Sequence, residues 1–131
     1  MSVPISVMIV EDEADIAHLF SLCLEKVGFN TISFTEPLLA LDHFKQYPKR
    51  YFLILIDMFM ADLNGLELSK EIRKYNSQVK ILLITGCCKG DITRSVNFKV
   101  AKISDVILKP VNFEEFGPRI LQLCSEKSVG Q

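Results

Sequence analysis

The chain has 131 residues, room for one domain with a genuine core. Hydrophobic residues make up 49% and charged residues 24%, ordinary for a soluble globular fold, and a net charge of -1 excludes any general pull toward nucleic acid or acidic membranes. The longest apolar runs are strand length, which excludes a membrane-spanning helix, and Met1 to Ser6 lacks the basic-then-apolar pattern of a secretory signal, so the cytoplasm is the expected location.

In chain order, residues 4–10 form an apolar run that stops at Glu11, Asp12 and Glu13. Residues 14–27 carry Ile16, Leu19, Phe20, Cys23, Leu24 and Val27 at helical spacing, and Gly28 ends that helix. Residues 30–34 read as a short strand. Pro37 opens the next helix in its first turn, where a missing N–H costs nothing, and Leu38, Leu41 and Phe44 form its apolar face. Residues 51–56 are unbroken apolar or aromatic residues, the mark of a strand buried on both faces, and they stop at Asp57. Residues 62–65 are turn chemistry, with positive φ expected at Gly65.

Residues 66–75 alternate as a helix, and residues 79–84 form a fourth strand that ends at Thr85 and Gly86. Residues 91–102 read as one helix with Ile92, Val96 and Val100 inward. Residues 106–108 are a fifth strand, ending at Lys109 and Pro110. Asn112 and Glu115 have capping-box spacing. Pro118 falls inside the last helix, which predicts a first turn at 113–116, a kink and a restart. Strands and helices alternate five times, which means an α/β sandwich with a parallel sheet between two helical layers.

The cysteines fit reduced thiols. Cys23 and Cys124 sit in apolar helical patterns, and Cys87 and Cys88 are neighbours, closer along the chain than a disulfide usually spans. No cysteine or histidine cluster has zinc spacing.

Four of the five strands end in groups capable of chemistry: Glu11 and Asp12, Asp57, Thr85 and Lys109. Parallel strands bring those ends to one edge. Acids at a helix start could instead serve the helix dipole, worth about 0.3–1 kcal/mol each. That accounts for one or two acids, but not for their place directly after a buried strand. Clustered carboxylates repel unless a cation joins them, and Mg²⁺ takes oxygen ligands. A carboxylate nucleophile, a hydroxyl and an ammonium around such a cation suit transfer of a phosphoryl group to a carboxylate.

These motifs, with Gly65 eight residues past Asp57, resemble the receiver domain of two-component response regulators along nearly the whole chain. The resemblance implies a flavodoxin-like three-layer fold with five parallel strands in the order 2-1-3-4-5. The receiver would occupy residues 1–125, followed by a polar tail over 126–131. It implies that Asp57 accepts phosphate from a histidine kinase or phosphotransfer protein. Asp12, Asp57 and the main-chain carbonyl of Phe59 would bind Mg²⁺ directly, and Glu11 through water. Lys109 would contact the phosphoryl group, and Thr85 would swing toward it to carry the signal. The expected protein is a stand-alone signalling switch, not a metabolic enzyme, whose output is binding to a downstream protein or passing phosphate onward. No nucleic acid or membrane partner is expected, and the protein would be a monomer or a phosphorylation-dependent dimer.

Three departures stand out. Ala61 replaces a usual proline, Val106 a usual aromatic at the switch position, and Lys102-Ile103 a usual Gly-Ala. Lys89, Arg94, Lys99 and Lys102 outnumber Asp91 on the segment before the fifth strand, a face suited to an acidic partner. Phe59 and Cys87 flank the expected phosphoryl site and neither readily orients water, so slow self-dephosphorylation is expected. Two other readings fit the same residues: a pseudo-receiver that only binds partners, and a small Mg²⁺-dependent phosphatase. The second usually needs an acid where Phe59 stands.

Overall fold

The computed structural model describes residues 5–87 and 89–129. The start of the first predicted strand at Pro4, Cys88 and the end of the expected tail lie outside the described residues. The elements run β1 (Ser6–Val10), α1 (Ala14–Lys26), β2 (Asn30–Phe34), α2 (Pro37–Gln46), β3 (Leu53–Asp57), α3 (Gly65–Arg73) and β4 (Lys80–Thr85). They continue with α4 (Lys89–Arg94), α5 (Val96–Val100), β5 (Asp105–Leu108) and α6 (Phe113–Val129). One sheet takes the order β2-β1-β3-β4-β5, with every pair parallel. The order and the alternation match the sequence expectation.

β3 lies at the centre and is buried along its whole length. Successive side chains of a strand point to opposite faces. Ile54 and Ile56 therefore enter the core under α2 and α3, with Met8, Phe44, Leu68 and Ile81. Leu53 and Leu55 enter the core under α1 and α6, with Phe20, Leu24, Phe116 and Ile120. Burying such a side chain is worth about 1.5–3 kcal/mol, so the run before Asp57 anchors both layers. The end of β3 is thereby one of the most constrained points of the backbone.

Several local expectations are corrected. Gly65 does not take positive φ; Asp62 does, at φ 70°. Gly65 instead starts α3, where a Cβ would meet the Asp57 carbonyl oxygen and the Met58 Cα at 2.9 Å each. Its role is close approach. The capping box forms at Asn64, not Asn112: Glu67 N donates to Asn64 Oδ1 at 2.8 Å, and Asn64 N donates to Glu67 Oε1 at 2.9 Å. Asn112 Oδ1 accepts from Glu114 N at 3.0 Å, one residue earlier than a capping box requires.

The helix expected over 91–102 is two short helices. Ser95 is extended and its hydroxyl accepts from Asn97 N at 3.1 Å, so the side chain starts a new helix instead of continuing the old one. The restart turns Val96 and Val100 to solvent, while Ile92 and Ala101 are buried and Phe98 packs against the core. The break expected at Pro118 does not occur, and α6 is continuous from Phe113. Pro118 is the sixth residue of α6, so it removes the bond to the Glu114 carbonyl without ending the helix. The backbone also stays helical to Val129, into the stretch read as a tail.

Candidate functional site

β1, β3, β4 and β5 end at the same edge of the sheet, and their last residues bring the expected groups together. Asp57 closes β3 in register with Ile84, and Met58 N donates to the Ile84 carbonyl at 2.8 Å. Glu11 follows β1, where its N–H donates to the Phe34 carbonyl at 3.0 Å. Lys109 follows β5, and its N–H donates to the Thr85 carbonyl at 2.8 Å. The Lys109–Pro110 peptide is cis. Backbone bonds between neighbouring strands thus set the spacing of three of the chemical groups.

Carboxylate oxygens of Glu11, Asp12 and Asp57 lie within 4.8 Å of one another. Lys109 Nζ reaches Asp57 Oδ1 at 3.4 Å and Glu11 Oε1 at 3.8 Å. Glu11 and Asp57 are buried while Asp12 is exposed, so the cluster opens to solvent on one side. Burial pushes the Glu11 carboxyl up to about 7, with the Asp57 charge adding to the rise, while the Glu13 N–H and Lys109 oppose it. Burial also raises the Asp57 carboxyl, and Lys109 pulls against that rise. One ammonium does not balance three carboxylates.

The donor set fits a hard divalent cation. All three side chains offer oxygen, the ligand Mg²⁺ prefers. Among the described residues, Glu11 Oε1 is a buried oxygen with no hydrogen-bond donor, and Lys109 stands beyond hydrogen-bond length from it. A second cation near Glu11 and Asp57 would meet that unmet demand. Phe59, whose main-chain carbonyl was expected to complete the set, lies two residues past Asp57 with its ring 55% exposed.

Thr85 is fully buried at the end of β4, and its hydroxyl donates to the Cys87 carbonyl at 2.9 Å. The hydroxyl is therefore committed to the loop that leads into α4. Val106 is buried in the core, in register with Leu83. Arg94 pairs with Asp91 at 3.2 Å, while Lys99 and Lys102 are exposed, and Lys102 has φ 51°. Arg94 ends α4, Lys99 lies in α5 and Lys102 follows α5.

One feature of the site escaped the sequence reading. A hollow of about 430 Å³ beside Lys109 is lined by Ile16, Phe20, Pro110, Val111 and Phe113, with Glu13 and Gly86 at its edge. Its walls come from the starts of α1 and α6. Apolar residues just after two strand ends that carry candidate groups were the available signal.

The family profile described as the response regulator receiver domain matches residues 7–120. The chain belongs to the response regulator receiver family. The receiver is 34% identical over 114 residues to a transcriptional regulatory protein CpxR homolog of Haemophilus influenzae, covering 86% of this chain and 47% of that protein. It is 32% identical over 114 residues to the response regulator ArlR of Staphylococcus aureus, covering 87% of this chain and 50% of that protein. The chain thus spans about half the length of these curated relatives. A receiver domain from Methanospirillum hungatei superposes with a TM-score of 0.85 at 22% identity, covering 98% of this chain and 100% of that one. The chemotaxis protein CheY4 of Vibrio cholerae gives 0.81 at 20% identity, covering 92% and 98%. These structures share the receiver's fold. No helix among the described residues is long and apolar enough to cross a membrane.

Proposed function

We propose that this receiver is a phosphorylation-dependent switch whose acceptor is Asp57, and that Glu11, Asp12, Asp57 and the Phe59 carbonyl hold Mg²⁺. The observation that carries the reading is the meeting of three carboxylates with Lys109 at one sheet edge, Lys109 Nζ standing 3.4 Å from Asp57 Oδ1. Bound there, Mg²⁺ supplies positive charge to phosphoryl oxygens. An Asp57 carboxylate oxygen attacks phosphorus on a phosphohistidine of the donor protein. The P–O bond forms as the P–N bond breaks, and the electron pair stays on the imidazole nitrogen, which takes a proton. Lys109 shifts its ammonium from the Asp57 carboxylate to the new phosphoryl oxygens. Thr85 gives up the Cys87 carbonyl for the phosphoryl group, which releases the loop into α4. The α4–α5 segment, with Arg94, Lys99 and Lys102, is then the face that meets an acidic partner.

Two readings stand against this one. A pseudo-receiver would bind partners without phosphate, and a phosphatase would turn over phosphate monoesters. Incubation with Mg²⁺ and a small phosphodonor separates the switch from the pseudo-receiver, and multiple turnover on phosphate monoesters would mark the phosphatase. The wild type gains one base-labile phosphate and Asp57→Asn gains none. Equal labelling of the variant, or no labelling of either, ends the proposal.

A further inference from the structure

α5 is held more firmly than its own burial explains. None of its residues is fully buried, and a helix of about a turn and a half has little stability alone. It is fastened from α3. Lys70 Nζ donates to Asn97 Oδ1 at 3.1 Å, and Arg73 donates to the carbonyls of Ala101 at 2.7 Å and Lys102 at 2.8 Å. Arg73 also reaches the Val79 carbonyl at 2.6 Å and the Asn76 carbonyl at 3.2 Å. These bonds fix a stripe in which Val96 is 75% exposed and Val100, one turn on, is 54% exposed. Lys99 and Lys102 flank it, both exposed. Lone exposed valines are ordinary, but two on a helix fastened in place form a pre-organised surface.

The other flank of α3 carries the complement. A cleft of about 390 Å³ between α2 and α3 is floored by Leu38, Leu41 and Leu63 and rimmed by Glu67, Lys70 and Glu71. Leu38 is 52% exposed. The rim's lysine is turned to Asn97, while exposed Asp42 lies one helical turn from Leu38 and exposed Asp62 precedes Leu63. Glu71 is already paired with Lys74 at 2.9 Å, so among the described residues the acids around the apolar cleft without an ion pair are Glu67, Asp42 and Asp62, whereas the stripe is apolar with basic flanks.

We infer that the α2–α3 cleft seats the α5 stripe of a second copy of this chain. Val96 and Val100 would lie on Leu38 and Leu63, and Lys99 and Lys102 would meet Glu67, Asp42 and Asp62. The inference rests on the reading of Lys99 and Lys102 as a docking face and gives that face an occupant in the unphosphorylated state, before the partner of the phosphorylated form. The two patches differ, so the contact is heterologous, and each copy keeps one free patch until the arrangement closes. The contact is small, so association is weak and its charged part is sensitive to salt.

Sedimentation velocity on the unphosphorylated full chain tests this, at low and high ionic strength and at about 0.1–1 mM protein, the range of a weak contact. Wild type associates at low salt and dissociates at high salt. Leu38→Glu disables the cleft, and Lys99→Glu with Lys102→Glu disables the stripe; all three positions are exposed, so folding is unaffected. Each variant alone sediments as a monomer. Their equimolar mixture forms a heterodimer and nothing larger, because one live cleft meets one live stripe. A monomeric wild type, unchanged association of either variant, or a monomeric mixture overturns the inference. Association lost in the lysine variant but kept in Leu38→Glu leaves the basic face as a docking surface and removes the cleft as its seat.

Discussion

The two strand-to-helix connections that flank the centre of the sheet are built in opposite ways. Between β3 and α3 the chain turns tightly, with Gly65 N donating to the Met58 carbonyl at 2.8 Å and a full capping box at Asn64. Asp57 sits at its start with both layers packed beneath it. Between β4 and β5 the chain passes through two short helices, of which α5 buries no residue, and side chains from α3 hold it. The first connection is specified by backbone and core, which fixes the position of Asp57. The second is held by Ile92, Ala101 and Phe98 against the core and by polar contacts from Lys70 and Arg73. The two kinds of connection leave adjacent strands, β3 and β4.

The largest test removes the cation of the rigid edge. Lys109→Ala is expected to slow labelling of Asp57 by about 100-fold, the scale of losing one charge-stabilising group. Labelling at the wild-type rate would mean that Lys109 touches only the resting carboxylates. Next, Gly65→Ala should cost about 1–3 kcal/mol of stability in urea unfolding, since the new Cβ overlaps backbone at 2.9 Å. Gly86→Ala, where a Cβ meets nothing within 4 Å, should stay within about 0.5 kcal/mol of wild type. Equal effects at the two glycines would erase the contrast between the connections.

A smaller effect concerns the lifetime of the phosphate. Phe59 offers no group to orient an attacking water, so the phosphorylated receiver should lose phosphate slowly, over about hours. Phe59→Asn should speed that loss by about tenfold, read by the decay of labelled protein. Rapid loss that the variant leaves unchanged would dismiss the water-positioning argument.

A further expected effect is a pH slope. The Glu11 carboxyl is raised from 4.5 to about 7, so the folded state holds its proton where the unfolded chain has released it. This contribution to stability is fully present below about 4.5 and is lost as pH rises through about 7. Burial shifts Asp57 in the same direction. Without divalent metal, the melting temperature should therefore fall between those limits. Glu11→Gln should flatten the slope, and Mg²⁺ should offset the fall above pH 7. A melting temperature that rose across the window would reverse the sign and refute the assignment.

Much of the fold and the candidate site could be read from residue order, for a specific reason. A strand buried on both faces must be apolar throughout, so a polar residue can appear only where it ends. The ends at Glu11, Asp57, Thr85 and Lys109 were therefore visible as interruptions. The segment from residue 86 to residue 104 was far less legible. Its helical period was real, but the Ser95 hydroxyl captured Asn97 N and restarted the helix, which reversed the orientation expected of Val96 and Val100. Gly65 was assigned a turn role on local grounds, when its constraint is the backbone of Asp57 and Met58 pressed against it.

Apolar patterning along the chain alone determined the alternating elements, the buried third strand and the reactive groups that close the strands, because burial acts on each residue's own side chain. Tertiary structure decided how those groups share charge. Only the folded edge leaves Glu11 Oε1 buried without a donor and sets Lys109 between two carboxylates. It also decided that α3, through Lys70 and Arg73, holds a helix too short to hold itself. Such effects depend on distances between residues far apart in the chain, and no local pattern encodes those distances.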